Sequence, residues 1–438
     1  MEYNGNNFYC QRTVEESGTS YFICAQYRGG CKARLIVRND TVKSHNDHTC
    51  DKDVKQAPTL TDVRAEMRVY LQEACLANLS HPPSLIWERV MASLREAHPD
   101  DALNTIFRLP SISIIKYTRA QATGSDAFRA IESVPTRNVA EDDRRPFLQF
   151  NVVHTVGCGQ HRYVGFGHPD LVRLLRYSRS AIFIDGTFKM VPRPFTQCLI
   201  VMVMDPGVDV YAPAMYVLMD SKQQDAYWNA VNYVIVQTDH LLEPATVTCD
   251  FERGLMNAIT DQIPLVKTVG CLFHWKQALR RKMIEQRVPQ NQIAPALAPG
   301  VIDVLTIIPV DQIADTGIRF VRSRVDETGS KTKWDAFWRY FRKTWMSTCG
   351  ADLWNVDSMT AFGIDLQNRT NNPLESYNRA FGDRFSVKHP SLLSFVEIAK
   401  ENARRYVQLI DDVKHNRREP PAHAQEVEPR IPPEFHHF

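Results

Sequence analysis

The stretch AIFIDGTF, residues 181–188, decides how the second half of this chain folds. Its four apolar residues, followed at once by an aspartate and a glycine, are typical of a short buried strand. Further strand-like runs lie at residues 198–204, 211–219, 245–249 and 265–270, and helical patterns alternate with the last two. Three strands in succession, followed by alternating helices and strands, predict an α/β fold with a mixed sheet and helices on both faces.

The rest of the chain divides into shorter segments around this alternating region, which extends over residues 146–290. Upstream we expect a small β-rich unit at 1–55, a helical unit at 60–122 and a polar linker at 123–145. Downstream we expect a helical insertion at 291–365, a return to the sheet domain at 366–410 and a disordered tail at 411–438. The three short helices of the second segment suit a helix-turn-helix-like unit that binds DNA.

The composition excludes several classes of protein. The 438 residues are 44% hydrophobic and 23% charged, which is ordinary for a globular protein and unlike a disordered or fibrous chain. No apolar run approaches the roughly 20 residues that a membrane-spanning helix needs, and the first residues lack the pattern of a secretory signal. We therefore expect a soluble, intracellular protein with no membrane partner. The net charge is only +2, so any contact with nucleic acid must depend on local basic patches.

Four of the ten cysteines lie in the first 50 residues, together with two histidines. So small a β-rich unit buries too little core to fold without a cross-link or a metal ion. Two thiolates and two imidazoles suit tetrahedral zinc, so the predicted Zn²⁺ ligands are Cys24, Cys31, His45 and His48. Cys50 is a competing fourth ligand. The alternative is a reduced hairpin with incidental cysteines.

Three acids are the candidate catalytic residues of the sheet domain. Asp185 and Asp250 each follow a buried strand, where ligands commonly bind, and Glu375 lies near the start of a helix. Brought together without basic partners, they would repel one another. Divalent cations relieve such repulsion, and a pair of them can drive in-line attack at a phosphodiester.

Each of these acids also has a purely structural interpretation. Asp185 with the glycine after it is a turn dipeptide, and Asp250 suits the cap of the helix that begins near Glu252. Glu375 suits the third position of a capping box. Glu252 is the neighbouring acid most easily confused with Asp250. On the residues alone, these alternatives stay open.

Cys271 and His274 form an auxiliary motif where one strand closes and the next helix opens, near the sheet end that carries Asp250. His274 suits DNA binding or the positioning of a phosphate, and the alternative is a buried cysteine followed by a helix-capping histidine. Two ligands do not make a metal site. Because the sequence offers no obvious further pair, we predict no zinc here.

Basic side chains that suit contact with DNA phosphates lie in several segments. The predicted DNA-binding residues are Lys32 and Arg34 in the first unit, Lys116 and Arg119 in the helical unit, and Lys276, Arg280 and Arg281 after His274. Between residues 319 and 345, arginines and lysines are interleaved with three tryptophans. That pattern suits either stacking on distorted DNA or an amphipathic helix with a tryptophan core.

Four motifs in this order resemble the catalytic domain of Mutator-like element (MULE) transposases. They are DGTF at 185–188, CDFE at 249–252, CLFHW at 271–275 and NPLESYN at 372–378. The resemblance implies an RNase H-like fold in which a helical insertion precedes the third acid. It also implies a DDE triad of Asp185, Asp250 and Glu375 that holds Mg²⁺ or Mn²⁺, accompanied by the Cys-x-x-His motif of Cys271 and His274.

The first unit resembles a FLYWCH-type zinc finger, a frequent companion of that transposase domain. The match is carried by FIC at 22–24, CKARL at 31–35 and HNDH at 45–48. This chain has one extra residue between the two histidines and a further cysteine at position 50. The resemblance implies a zinc-stabilised module that binds DNA or a protein partner.

The sequence therefore predicts a DNA transposase that cuts and joins strands at transposon ends. Its expected partners are double-stranded DNA, in the form of terminal inverted repeats and target DNA, and further copies of the same chain on that DNA. Its expected location is the nucleus. One alternative is a domesticated, transposase-derived DNA-binding regulator of transcription without catalytic activity. Another is an RNase H-like nuclease unrelated to transposition, which the finger and the Cys271–His274 pair disfavour.

Overall fold

The computed structural model describes residues 1–438 except 51–62, 78–82, 105, 107–109, 123–125, 135, 157–158, 326–329, 362–365 and 424–429. Parts of the predicted linker, insertion and tail therefore lie outside the described residues. The chain forms two compact units, Met1–Leu71 with Trp87–Ser111 and Gln72–Ile86 with Ile112–Phe438. No helix in the described ranges is long and apolar enough to cross a membrane.

The first unit begins with a five-stranded antiparallel sheet in which sequence neighbours pair with each other. Its strands are β1 (Glu2–Tyr3), β2 (Asn6–Val14), β3 (Thr19–Cys24), β4 (Arg34–Arg38) and β5 (Thr41–His45). Asn39 and Asp40 join β4 to β5, and both have positive φ, as a two-residue hairpin turn requires. The core beneath the sheet is small and consists of Phe8, Cys24, Cys31, Ala33 and Leu35.

Four helices occupy the segment predicted to be helical. They are α1 (Arg64–Ala77), α2 (Pro83–Ala97), α3 (Asp100–Leu103) and α4 (Ser111–Ala122). Met67, Leu71 and Cys75 on α1 are fully buried, as are Val90 and Leu94 on α2. These residues recur every four positions, the spacing of one helix face. Their part in DNA recognition stays a prediction.

A seven-stranded sheet is the centre of the second unit. Its strands are β6 (Leu148–Val156), β7 (Gly159–Phe166), β8 (Ala181–Thr187), β9 (Gln197–Asp205), β10 (Val210–Met219), β11 (Thr246–Cys249) and β12 (Lys267–Gly270). The spatial order is β12-β11-β8-β9-β10-β7-β6. β11 pairs in parallel with β8 and β12, whereas the remaining pairs are antiparallel. The prediction of a mixed α/β sheet is confirmed.

Twelve helices accompany this sheet among the described residues. They are α5 (Ala127–Glu132), α6 (Pro169–Val172), α7 (Gln224–Gln237), α8 (Arg253–Gln262), α9 (Leu272–Glu285), α10 (Gln290–Ala296), α11 (Val310–Gln312), α12 (Ile318–Val325), α13 (Lys331–Phe341), α14 (Asp357–Ala361), α15 (Asn372–Gly382) and α16 (Leu392–Lys414). α15 packs against β8, and α16 packs against β10. β9 and β10 are buried along nearly their whole length, as strands covered on both faces are.

The region between α9 and α15 is helical and has a core of its own. Tryptophans dominate that core, namely Trp275, Trp334, Trp338, Trp345 and Trp354. Each of them is at most 3% exposed. The apolar faces of these helices therefore pack on one another rather than on the sheet.

Two segments differ from their predicted state. The linker contains α5, and Ile131 and Val139 within it are buried in the main core. The tail is not wholly irregular either, because α16 continues to Lys414 and Phe435 packs against Phe320. In both segments, single apolar residues within a polar sequence find a core position, which average composition does not predict.

Candidate functional site

Asp185 and Asp250 lie side by side because β8 and β11 are parallel. In their register Ile184 faces Cys249, so the two aspartates follow equivalent positions at the same end of neighbouring strands. Burial and the negative charge of Asp250 raise the pKa of Asp185 to about 6. The raised pKa reflects a carboxylate that is short of positive charge.

Glu375 approaches the same sheet end from the first turn of α15, and His274 lies between the acids. His274 Nδ1 is 3.4 Å from Asp250 Oδ1, and His274 Nε2 is 3.6 Å from Glu375 Oε1. Burial raises the pKa of Glu375, an effect that His274 opposes and Asp250 reinforces. The structure thus brings all three predicted acids and His274 into one group, although they come from distant parts of the chain.

The purely structural interpretations of the acids are wrong. Asp185 lies inside β8 rather than in a turn. The cap of α8 is Glu252, so Asp250 is not the capping residue. The cap of α15 is Asn371, so Glu375 occupies the fourth helical position instead of the third, and no side-chain capping bond forms. None of the three carboxylates is a helix cap, although Asp250 Oδ1 accepts the backbone N–H of Phe251 at 2.7 Å.

Asn378 belongs to the group, although the sequence interpretation missed it. Its Nδ2 donates a hydrogen bond of 2.8 Å to Asp185 Oδ2. Its Oδ1 is buried and has no hydrogen-bond partner among the described residues. The signal in the sequence was the spacing from Glu375, because residues three apart share one face of a helix.

A buried hydroxyl network, consisting of Tyr216, Tyr377 and Asn402, fixes α15 beneath the site. The two tyrosine hydroxyls are 2.5 Å apart, and Asn402 Nδ2 donates to Tyr377 Oη at 2.6 Å and to Tyr216 Oη at 3.2 Å. The network joins α15 to β10 and α16. It therefore fixes the positions of Glu375 and Asn378 relative to the sheet.

Asp185 and Glu375 open into a pocket of about 670 Å³. Asp185, Glu375 and His274 form one side of it, and Lys189, Arg379 and Lys388 contribute exposed basic side chains to its lining. Basic side chains around the acids suit the binding of a phosphodiester, because they attract its negative charge toward the carboxylates. The three basic residues were missed because no strand or motif marks them in the sequence.

A second group of metal-binding side chains lies in the first unit. Ligand atoms of Cys24, Cys31, His48 and Cys50 all lie within 4.8 Å of one another. The Sγ atoms of Cys24 and Cys50 are 3.7 Å apart, and His48 Nδ1 is 3.6 Å from Cys31 Sγ and 3.3 Å from Cys50 Sγ. With usual zinc bond lengths, the ligands of a tetrahedral ion lie about 3.5–3.8 Å apart. The donor set and its spacing fit Zn²⁺.

This group corrects the predicted zinc ligands at one position. His45 lies in β5 opposite Arg34, and its side chain is exposed. Cys50, the competing ligand, takes its place beside His48. The reason is the strand itself, since pairing with β4 fixes the direction of His45 whereas the chain after β5 can turn back toward Cys24 and Cys31.

The predicted DNA-binding residues fall into two sets. Those with exposed side chains are Lys32, Arg34, Lys116, Arg280 and Arg281. Arg119 instead donates from Nε to the carbonyl oxygen of Cys75, and burial lowers its pKa. Lys276 Nζ is 3.1 Å from Oδ2 of the buried Asp303. The last two residues are engaged in contacts within the protein, so their side chains are not directed at a phosphate.

The interleaved arginines and tryptophans of the insertion are also separated by the fold. Trp334, Trp338 and Trp345 are core residues. Arg322 pairs with Asp335, and Arg324 lies 3.5 Å from Glu434. The tryptophan-core interpretation is therefore correct for this segment, and stacking of these tryptophans on DNA is excluded by their burial.

The geometry thus describes a mixed α/β domain with an acidic site, preceded by a small metal-binding finger. Residues 181–278 match the family model of the MULE transposase domain, and residues 2–49 match that of the FLYWCH zinc finger domain. The chain carries these two domains, and both resemblances noted in the sequence are confirmed. The transposase match includes Asp185, Asp250, Cys271 and His274 and ends before Glu375. No curated protein matches the chain.

Proposed function

We propose that this protein is a DNA transposase that cleaves DNA at transposon ends and joins the cut strands to target DNA. The observation that carries the proposal is the convergence of Asp185, Asp250 and Glu375 beside His274 in a chain with a MULE transposase domain. On this proposal the second unit is an RNase H-like catalytic domain, and the three acids are its DDE triad.

The donor set fits divalent cations. Within the described part of the chain, no lysine or arginine forms an ion pair with any of the three acids. Carboxylate oxygens are the ligands that Mg²⁺ and Mn²⁺ prefer. When bound, two such ions activate the attacking oxygen and stabilise the leaving oxygen of the phosphodiester. Burial and repulsion by Asp250 raise the pKa of Asp185, and a bound cation would offset both, which supports this assignment.

The protein's own residues prepare the site for that chemistry. The hydrogen bond from Asn378 fixes the orientation of the Asp185 carboxylate. Lys189, Arg379 and Lys388 line the same pocket, and their charge suits contact with backbone phosphates. Such contacts orient the strand but carry no base information, so recognition of the transposon end must come from elsewhere in the chain.

We assign DNA recognition to the finger, together with the helices that follow it. Strand register places Arg12, Arg34, Arg38 and Lys43 on the sheet face opposite Leu35 of the finger core, and all four are exposed. A basic sheet face of this kind suits the phosphates of double-stranded terminal inverted repeats. Zinc at the Cys24 group would supply the folding free energy that keeps this face rigid.

Joining two transposon ends to one target requires two active sites at one place on the DNA. We therefore propose that copies of the chain assemble on the DNA and that they act in the nucleus, where the substrate is. Size measurement of the protein with and without terminal-repeat DNA tests the first point. A complex in which a single chain binds both transposon ends would contradict the proposed assembly.

The proposed activity is tested by incubating the full chain with DNA that carries the element's ends and with Mg²⁺, Mn²⁺ or chelator. We expect strand cleavage with either metal and none with chelator. Asp185→Asn removes a charge but keeps the shape, and cleavage should fall at least about 10³-fold because a cation ligand is lost. Asp261→Asn, on the exposed side of α8, is the matched control. Equal cleavage by the parent and Asp185→Asn would overturn the assignment.

A further inference from the structure

Cys271, His274 and Glu375 form a second group of potential metal ligands, separate from the finger. Their ligand atoms all lie within 4.8 Å of one another. Cys271 Sγ is 3.9 Å from Glu375 Oε1, and His274 Nε2 is 3.6 Å from the same oxygen. The sequence offered only the first two ligands. The fold supplies the third from α15, about a hundred residues further along the chain.

The surroundings of this group resemble those of metal-bound ligands. The backbone N–H of Asn371 donates to Cys271 Sγ at 3.2 Å, a contact that favours a thiolate, whereas burial raises the pKa of the free thiol. With Nε2 directed at Glu375, the other ring nitrogen of His274 faces Asp250 Oδ1 at 3.4 Å. No hydrogen bond forms at this separation, but a carboxylate near the second nitrogen is the usual partner that orients a metal-ligating histidine.

An independent sign of a missing ligand is the side chain of Asn371. Asn371 is fully buried, and neither Oδ1 nor Nδ2 has a hydrogen-bond partner among the described residues. Its backbone lies beside Cys271, as the hydrogen bond to Sγ requires. Buried amides are almost always satisfied by protein, water or a bound group. The hydrogen bond from its backbone places Asn371 next to Cys271, so a group bound beside Cys271 is one candidate partner for this amide.

We propose that Cys271, His274 and Glu375 bind a Zn²⁺ ion that excludes Mg²⁺ from the catalytic acids. A thiolate and an imidazole suit zinc and not magnesium, which prefers oxygen ligands. Three protein ligands with one open position are a common zinc arrangement. Glu375 cannot serve both ions, so zinc turns the proposed nuclease off. Zinc binding itself does not depend on the proposed function, whereas its inhibitory effect does.

The zinc content of the full chain, purified in zinc and freed of excess ion, tests the site directly. We expect two zinc ions per chain for the parent, one for Cys31→Ser in the finger and one for Cys271→Ser. Cys249→Ser is the matched control, because Cys249 is equally buried at the end of the neighbouring strand and should retain both ions. A parent with one ion, or Cys271→Ser with two, would overturn the proposal.

Two further measurements keep the test decisive. His274→Gln replaces a partly exposed side chain, so loss of one zinc ion there cannot be ascribed to an opened core. In the cleavage assay, zinc at ten times its dissociation constant should leave about one tenth of the molecules open to Mg²⁺ and slow cleavage about tenfold. Cleavage that is unaffected by zinc contradicts the exclusion. Absence of any Mg²⁺-dependent cleavage contradicts the proposed function and leaves the zinc content as the test of the site.

Discussion

Replacement of Cys50 by alanine should remove zinc from the finger, whereas replacement of His45 should not. Cys50 Sγ lies 3.7 Å from Cys24 Sγ and 3.3 Å from His48 Nδ1, which are the separations of ligands around one tetrahedral ion. Structural zinc contributes roughly 10–16 kcal/mol, so an even share among four ligands is about 3–4 kcal/mol for each. Loss of one ligand should therefore weaken zinc binding by about 10²–10³-fold.

In the assay, the full chain is equilibrated with a chelator. The chelator's zinc affinity is chosen so that the parent finger keeps its zinc, whereas a finger with about 10²–10³-fold weaker binding loses it. Zinc per chain is then counted. We expect Cys50→Ala to hold one ion fewer than the parent and His45→Ala to equal the parent, because His45 is an exposed residue of β5. The opposite result, with zinc lost from His45→Ala and kept by Cys50→Ala, would refute the assignment of the fourth ligand.

Four other expectations follow from the structure. The pKa of Asp185 is about 6 in the folded protein and about 4 in the unfolded chain. Without Mg²⁺, the contribution of Asp185 to the free energy of unfolding is therefore greatest below pH 4 and falls by up to about 3 kcal/mol as the pH rises through 6. Urea unfolding of the parent and of Asp185→Asn at several pH values measures this contribution. Tyr377→Phe leaves the buried hydroxyl network incomplete and should lower the free energy of unfolding by about 1–3 kcal/mol. Trp338→Ala should lower it by about 3–5 kcal/mol, again measured with urea, because this side chain is 1% exposed. Lys388→Ala should reduce the slope of DNA affinity against salt by about one phosphate contact, and Lys276→Ala should leave that slope unchanged.

The sheet could be predicted because its central strands are unbroken apolar runs. The run at 211–219 corresponds to β10 at Val210–Met219, and the run at 198–204 corresponds to β9 at Gln197–Asp205. Parallel pairing of β11 with β12 then follows from the crossover helix α8 between them. The first two acids were predictable for the same reason, since each is the first polar residue after an apolar run and lies near the end of its strand, although β8 continues past Asp185 to Thr187.

What could not be predicted depends on contacts between distant segments. Asn378 and Asp185 are 193 positions apart, and nothing local shows that α15 brings one to the other. The charge of Lys276 suggested DNA, but its partner Asp303 lies 27 positions further along the chain and is buried, which the sequence does not reveal. Local patterns report exposure of a face, whereas pairing of a charge is decided by tertiary packing.

The zinc ligands of the finger could not be predicted fully, for a different reason. His45 and Cys50 are both donors near His48, and counting residues does not distinguish them. The distinction comes from β5, whose pairing with β4 extends to His45 and places it opposite Arg34 on the exposed face. A strand one residue shorter would have freed His45 to turn inward, and strand ends are the least predictable feature of a sequence.

Metal-dependent cleavage of terminal-repeat DNA by Asp250→Asn, Glu375→Gln and Glu252→Gln tests the central claim most directly. Asp250 and Glu375 flank His274 at the site, whereas Glu252 is the cap of α8. We predict that the first two variants lose cleavage in Mg²⁺ by at least about 10³-fold, since each removes a cation ligand, and that Glu252→Gln retains it. Cleavage that survives Glu375→Gln, or that is lost only in Glu252→Gln, would contradict the assignment of these acids as the catalytic triad.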